Sequence, residues 1–583
     1  MSAIQQLITE HIDIWTAADT EKKSGRGRAS GNAGRVYGIK KLRELILELA
    51  VRGKLVPQDA NDEPARELLE RIQAEKAQLV AEGKVKKDKP LAAIADDEKT
   101  FELPQGWAWS RLGNTGKIFN GNSINEDEKE KKYTHLKEGF PFIATKDVGY
   151  GRDDIDYANG VLIPFDNESF KIAHKEAVLI CSEGGSAGKK IGMSDVDICF
   201  GNKLYANETW AGIVPRFIFY EYQSPSFYQS FSERMTGIIG GISINEFLNI
   251  LIPIPPKFEQ ARIVQKVDEL MALCDQLEEQ HSIAAEAHEN LVNHLLGTLT
   301  QSESADDFSS NWQCIAAHFD TIFTTEASID ALKQTLLQLA VMGKLVPQDA
   351  NDEPVIELLE HIQAEKIKPH TDWVDFSGLE ELKKDIPSNW TWIRLGEIAD
   401  IVRGGSPRPA GDLKFYEGNI PFLKVGDITR SKGKMVDGYT STIKPAGLTK
   451  TRFIDTRTVL LTNSGATLGV PAICDFETTF NDGVAAFINL SSKMFDEYLY
   501  LYLKSISAWF LEVAAQGQGQ PNLNTDIIRS TWIPITSVSE QHRIVTKVDK
   551  LMALCDQLKT RIQQVNQQQQ KLADVIVDQS ILA

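Results

Sequence analysis

Long apolar runs are missing from this sequence. Nothing in its 583 residues approaches the roughly 18 consecutive apolar residues of a membrane span, and the N-terminus lacks a signal peptide's apolar core. The expectation is a cytoplasmic protein with no membrane partner. Cysteine is scarce: Cys181, Cys199, Cys274, Cys314, Cys474 and Cys555 are scattered, without a CxxC pair. That argues against a zinc ribbon or a disulfide framework and for reduced packing thiols. The ten histidines are dispersed, and His361 and His542 read as helix-surface residues. There is no HExxH, no GxSxG and no glycine fingerprint for a dinucleotide. Glu183-Gly-Gly-Ser-Ala-Gly-Lys-Lys190 resembles a phosphate loop, but its glycine spacing is one residue short and Lys190 stands in the Ser/Thr place. A β-turn is the reading there. Ile254-Pro-Pro-Lys257 lacks the form by which amino-methyltransferases hold an extruded base, and Asp153-Asp154 reads as a solvated pair. No catalytic or metal-binding constellation emerges.

What the sequence does have is repetition. Arg262-Ile-Val-Gln-Lys-Val-Asp-Glu-Leu-Met-Ala-Leu-Cys-Asp-Gln-Leu277 returns at Arg543–Leu558, identical at 14 of 16 positions. Apolar residues fall at Ile263, Val267, Leu270, Cys274 and Leu277, and again at Ile544, Val548, Leu551, Cys555 and Leu558. This 4-3 alternation is a coiled-coil seam, which predicts long helices meeting each other or copies of one partner. A second repeat, Leu49–Lys76 and Leu339–Lys366, is identical at 24 of 28 positions. Gly53 and Gly343 suit helix C-caps, and Asn61-Asp-Glu-Pro64 and Asn351-Asp-Glu-Pro354 suit caps before a new helix. A period of 280–290 residues is too long for a solenoid and implies two domain-sized halves.

Between the repeated helices lie two windows of different character. Each opens on a shared anchor, Leu103-Pro-Gln-Gly-Trp-Ala-Trp-Ser-Arg-Leu-Gly113 and Ile386-Pro-Ser-Asn-Trp-Thr-Trp-Ile-Arg-Leu-Gly396. Short β-rich runs with Gly, Asn and Asp turns predict mixed α/β domains. Each window then has an apolar–basic run, Pro141–Val148 and Pro421–Ile428, a strand entering a glycine turn, Val178–Gly188 and Val459–Gly469, and a close at Ile252-Pro-Ile254 or Ile533-Pro-Ile535; outside these anchors the two windows share little. Residues 1–20 read as helical, 21–35 as a basic Gly/Ser-rich loop able to touch a phosphate backbone, and 299–328 as a connection between the halves.

The net charge is −18, which argues weakly against a nucleic-acid coat. Locally the balance reverses. Between Arg403 and Arg457 there are 11 Lys/Arg against 5 Asp/Glu, whereas residues 104–256 carry 15 against 19. Such basic loops neutralise phosphates while Arg, Asn and Thr reach base edges.

The paired LAxxGKLVPQ and RIVxKVDxLMALCDQL segments, flanking PxxWxWxRLG-headed domains, resemble the specificity subunit of type I restriction–modification enzymes. The resemblance covers essentially the whole chain. It implies an α+β protein with two mixed α/β target-recognition domains separated by long helices in an antiparallel coiled coil, an internal pseudo-two-fold repeat. The expected layout is an N-terminal helical region at 1–100, recognition domains at 101–256 and 386–536, a central region with a long helix at 257–385, and a C-terminal helix at 537–583. The resemblance further implies a non-catalytic reader of a bipartite, asymmetric site in double-stranded DNA. Two modification subunits carrying S-adenosylmethionine would dock on its helices, and a restriction subunit using ATP and Mg would join the complex. A helix of about 38 residues would span about 57 Å, with half-sites about one DNA turn apart. Candidate DNA contacts are Lys146, Arg152, Ser186 and Lys189 in the first domain. In the second they are Arg403, Arg408, Lys424, Arg430, Lys432 and Lys434, with Asn463, Thr467 and Asn481 as base readers. A DNA-free coiled-coil scaffold and a single-chain restriction–methylation enzyme are the competing readings.

Overall fold

The structure, a computed structural model, describes residues 3–17, 36–83, 90–151, 153–237, 240–303, 305–365, 373–374, 378–515 and 523–582. The basic loop at 21–35 and the candidate Arg152 lie outside the described residues. The chain divides into two units, Met1–Ala285 with Val565–Ala583, and Glu286–Gln564. Six helices form the frame: α1 (Tyr37–Val51), α2 (Ala65–Ala81), α3 (Lys257–Gln301), α4 (Glu326–Val341), α5 (Val355–Glu365) and α6 (Val538–Leu582). Among the described residues no helix is long and apolar enough to cross a membrane.

In the first unit α1 stops where its sequence demands. The Gly53 N–H donates to the Ala50 carbonyl and the Lys54 N–H to that of Leu49, with Gly53 at φ +69°. This left-handed cap suits glycine, and a Cβ there would also lie 2.5 Å from Pro104. The expected Asn-Asp cap on α2 is not formed. Asn61 bonds to Asp59 instead, Asp62 pairs with Arg262 at 2.6 Å, and the Ala65 N–H reaches the Gly106 carbonyl. Long-range ionic contacts also claim the corresponding residues of the second unit, where Asp352 pairs with Arg543 at 2.6 Å.

The direction of packing follows from named contacts. Arg43 on α1 reaches Asp275 (2.7 Å) and Glu278 (3.1 Å), while Asp62, further along the chain, meets Arg262. So α1 runs antiparallel to the start of α3. The Tyr37 hydroxyl donates to Asp574 (2.8 Å) and Lys54 to the Ile581 carbonyl (2.8 Å), so the end of α6 runs parallel to α1. Within this unit α3 and the end of α6 are therefore antiparallel. Ile263, Val267, Leu270 and Cys274 are buried with Leu42, Ile46, Ala573, Ile576 and Val577, and Leu277 is partly buried against them.

The second unit repeats this with the long helices exchanged. Gly343 caps α4 at φ +69°, with Pro387 2.6 Å from where a Cβ would stand. Lys559 pairs with Asp330 (2.7 Å) and Arg543 with Asp352, setting α4 antiparallel to the start of α6. Lys344 donates to the Thr300 (3.0 Å) and Ser302 (2.9 Å) carbonyls, and Thr324 contacts His288 (3.5 Å), so the end of α3 runs parallel to α4. Val292, Leu296 and Leu299 share a core with Cys555, and Leu551 and Leu558 are partly buried against it. Ile544 and Val548 turn to a second cluster with Leu337, Ala340 and Tyr498. The antiparallel pairing of the long helices is present within each unit. Each seam is covered by the far end of the other long helix and by α1 or α4. The stretch read as a connection is packed helix, Ala305–Ala317 and Phe319–Ile322, whose Ile315 and Ile322 join the same core. Its polar opening residues hide an apolar face.

Each window is closed by a two-stranded antiparallel stem, β1 (Ala108–Arg111) with β10 (Leu251–Ile254), and β11 (Thr391–Arg394) with β20 (Trp532–Ile535). The first domain contains β2 (Gly116–Asn120), β3 (Phe140–Ile143), β4 (Leu162–Ile163), β5 (Ile172–Ala173), β6 (Val178–Cys181), β7 (Ile191–Met193), β8 (Ile198–Phe200) and β9 (Leu204–Thr209). The second contains β12 (Asp400–Arg403), β13 (Tyr416–Leu423), β14 (Thr442–Ile443), β15 (Arg452–Ile454), β16 (Thr458–Thr462), β17 (Pro471–Cys474), β18 (Thr478–Phe480) and β19 (Val484–Ile488). The sheets run β2-β9-β6-β7 and β4-β3-β8-β5 in one domain, β12-β19-β16-β17 and β14-β13-β18-β15 in the other. Among the strand pairs of the described residues, β3/β8 and β13/β18 are parallel. Windows with little shared sequence thus share one topology. In each, the two sheets bury a common core: Ile143, Leu179, Phe200 and Ala206 in the first, Leu423, Leu460, Phe480 and Ala486 in the second.

Candidate nucleic-acid interface

The chain leaves β2, β3, β6 and β8 into loops that are stitched together by backbone bonds. The Asn122 N–H donates to the Phe200 carbonyl (2.8 Å), the Gly201 N–H to Ile143 (2.9 Å) and the Ser182 N–H to Lys203 (2.9 Å). The second domain makes the same stitches: Gly405 to Phe480 (3.1 Å), Asn481 to Leu423 (2.9 Å) and Asn463 to Gly483 (2.9 Å). The approach is so close that a Cβ on Gly121 or Gly404 would collide with the Phe200 or Phe480 carbonyl. Each domain therefore presents one loop cluster at equivalent strand ends, with different side chains.

In the second domain Arg403 ends β12, Lys424 precedes and Arg430 ends a short helix (Val425–Arg430) after β13, and Arg408, Lys432, Asn463, Thr467 and Asn481 lie on the loops. Asp482 organises one side of the cluster. Its carbonyl accepts from Arg403 (2.5 Å), and its carboxylate accepts from Ser406 (2.5 Å) and lies 3.8 Å from Arg408. Asp427 organises the other, accepting from the Lys424 N–H (2.8 Å), the Thr440 hydroxyl (2.7 Å) and Arg430 (2.5 Å). Lys424, Arg408, Arg430, Lys432 and Thr467 are exposed, and Arg403 and Asn481 half-buried. Asn463 is fully buried, with neither amide atom hydrogen-bonded, and the Asn481 Oδ1 is likewise unpaired. Lys434 stands apart, held between Glu497 and Asp549. Burial opposes its charge, but the bonds to Asp549 and Glu497 outweigh it and raise its pKa. That lysine braces the domain on α6.

In the first domain Lys146 and Lys189 are exposed and Ser186 is half-buried. Lys190 donates to the Thr145 (2.9 Å) and Lys146 (3.2 Å) carbonyls, tying the loop after β3 to the turn after β6. That turn closes through the Ala187 N–H to the Gly184 carbonyl (2.9 Å), an ordinary turn rather than a phosphate cradle. Several members of the clusters are absent from the sequence-based nominations. Lys171 reaches the Asn120 carbonyl and Oδ1 (both 2.8 Å), Lys203 pairs with Glu183 (3.3 Å), and Arg452 donates to the Arg403 carbonyl (3.0 Å). Arg452 sits inside the basic stretch counted from the sequence; Asn120, Lys171 and Lys203 carried no such signal.

Chemically, the clusters offer guanidinium, ammonium and amide donors on rigid strand ends, suited to phosphate neutralisation and base-edge contact. Among the described residues no group of three or more His, Cys, Asp or Glu could hold a metal ion.

Residues 104–287 and 387–567 match the family model of the type I restriction modification DNA specificity domain, each stretch taking in one domain and the start of the long helix behind it. The specificity subunits of the type I restriction enzymes EcoAI and EcoEI from Escherichia coli are 38% and 36% identical to this chain, over 99% of it and all of theirs. A solved structure described as the structural basis of complex assembly and conformational transition of the type I R-M system shares the fold. Its TM-score is 0.51 at 18% identity, covering 82% of this chain and 99% of its own. The chain belongs to the type I restriction enzyme specificity subunits.

Proposed function

We propose that this chain is the DNA-reading subunit of a type I restriction–modification complex, with each domain reading one half of a bipartite site. The observation that carries this reading is the loop cluster built twice on one topology from different side chains. One scaffold holds two readers, so the two half-sites differ. The basic loops of the second domain are suited to phosphate contacts, and the first domain, poorer in cations, leans on Asn120, Asn122 and Lys146. The repeated frame, with Arg262–Asp62 and Arg543–Asp352 in equivalent places, would offer two like docking faces to two modification subunits. S-adenosylmethionine belongs to those subunits, and ATP with Mg to a restriction subunit that joins through the complex. The chain itself carries out no chemistry and acts in the cytoplasm. The test is single-molecule sequencing of adenine methylation in cells expressing this chain with its modification subunit. A split, asymmetric methylated motif is expected; an unbroken or palindromic motif would count against the reading.

A further inference from the structure

The second domain holds a segment with no counterpart in the first. Asp147 and Asp427 are equivalent, each buried and each accepting the backbone N–H three residues before it at 2.8 Å. Three residues after Asp147 comes Tyr150, bridged in parallel to Ile191 on β7. Ile191 pairs with Ile180, and its counterpart Pro471 pairs with Leu461; Met435 is bridged in parallel to Ile473, two residues further along β17, and follows Asp427 by eight. Allowing for those two residues, the connection in the second domain is three residues longer.

Arg430 lies on this longer connection, and its guanidinium is fixed at two points. Its Nε donates to the Gly426 carbonyl (2.8 Å) and its Nη2 to the Asp427 Oδ1 (2.5 Å). Asp427 cannot follow a moving partner: its side chain is 1% exposed and is also held by Lys424 and Thr440. Yet the arginine side chain is 61% exposed. A guanidinium has five N–H donors in a planar fork. The Nε–Nη2 edge is spent on Gly426 and Asp427, which leaves the Nη1–Nη2 edge, two parallel donors, facing away from the brace. Parallel paired donors match the O6 and N7 acceptors of guanine in the major groove. A phosphate can also take a bidentate arginine but carries no base information, so the two contacts are told apart by whether specificity changes.

We propose that Arg430 specifies a guanine in the half-site read by the second domain, with Asp427 as its positioning residue. The inference rests on the bipartite reading above. Its test uses the complex of this chain with its modification subunit, first to obtain the methylated motif and then to measure binding of duplexes carrying it. Arg430→Ala and Arg430→Lys are both expected to relax one guanine position of the second half-site, with the first half-site unchanged. Replacing that guanine with 7-deazaguanine is expected to weaken wild-type binding roughly ten- to a hundred-fold and to leave Arg430→Ala binding unaltered. An unchanged motif in Arg430→Ala overturns the inference, as does a loss of affinity that is equal for every base at each position of the second half-site, the mark of a phosphate contact. If the wild-type complex yields no bipartite motif, it is the underlying reading that fails.

Discussion

Asp352 and Glu221 are both carboxylates kept from water, yet they respond to pH with opposite sign. The hydrogen bond from Arg543 holds Asp352 below the usual carboxylate range. Burial, then the neighbouring Glu48, pushes Glu221 well above it. A lowered pKa gives stability that is complete above the unfolded value and is lost as pH falls through the folded one. A raised pKa costs stability as pH climbs above the unfolded value, because folding must then take up a proton. Asp352→Asn is therefore expected to lower Tm near neutral pH, with the gap to wild type closing below about pH 4. Glu221→Gln is expected to gain on wild type as pH rises above about 4.5, in thermal melts followed by circular dichroism. A pH-independent difference for either variant would contradict the assignment. Neither environment was legible in the sequence, since each depends on residues far along the chain. Glu259-Gln260 and Glu540-Gln541 carried a fainter signal. They extend the repeat upstream, and they are buried hubs where Gln58 and Gln348 donate to Glu259 (3.1 Å) and Glu540 (2.7 Å).

At the scale of elements, helices announced themselves, and among the strands β6 and β16 did so through the glycine turns that follow them. The seams and the Gly53 and Gly343 caps follow from spacing and from one residue type that tolerates positive φ. What covers each seam did not follow, because a 4-3 stripe states only that a partner exists. The strands are two to eight residues long, and the central β6 and β16 are buried on both faces, so they lack the alternation that marks a half-exposed strand. Hence the anchored pairs β3/β13, β6/β16 and β10/β20 were legible by their matching sequence, while the sheet order that joins them was not. Two substitutions test the frame. Gly343→Ala combines a left-handed backbone with a 2.6 Å clash against Pro387, and is expected to destabilise by more than about 1 kcal/mol in urea denaturation. Val548→Asp places a charge in a fully buried seam position and is expected to unfold the second unit. Val565→Asp, on the same helix at a half-exposed site, is expected to be tolerated.

For the whole molecule, the stems separate what is shared from what is specific. Pairing of Ala108–Arg111 with Leu251–Ile254 and of Thr391–Arg394 with Trp532–Ile535 follows the same register, so everything between the strands of a stem forms an exchangeable unit. Replacing residues 395–531 by a second copy of 112–250 places the first reader at both positions. The receiving surface differs at α1 and α4. In the first unit the Ser226 N–H rests on Glu48 (3.1 Å), which Arg52 holds at 2.6 Å, whereas Gln338 and Met342 stand in those places on the second repeat. Gln338→Glu and Met342→Arg should accompany the exchange. The expected product, assembled with its modification subunit, methylates a site in which the sequence of the first half appears in both halves. Persistence of the native second half-site would mean that specificity resides in the frame. An assembled complex that methylates nothing would mean that the stems do not isolate the readers from their surroundings.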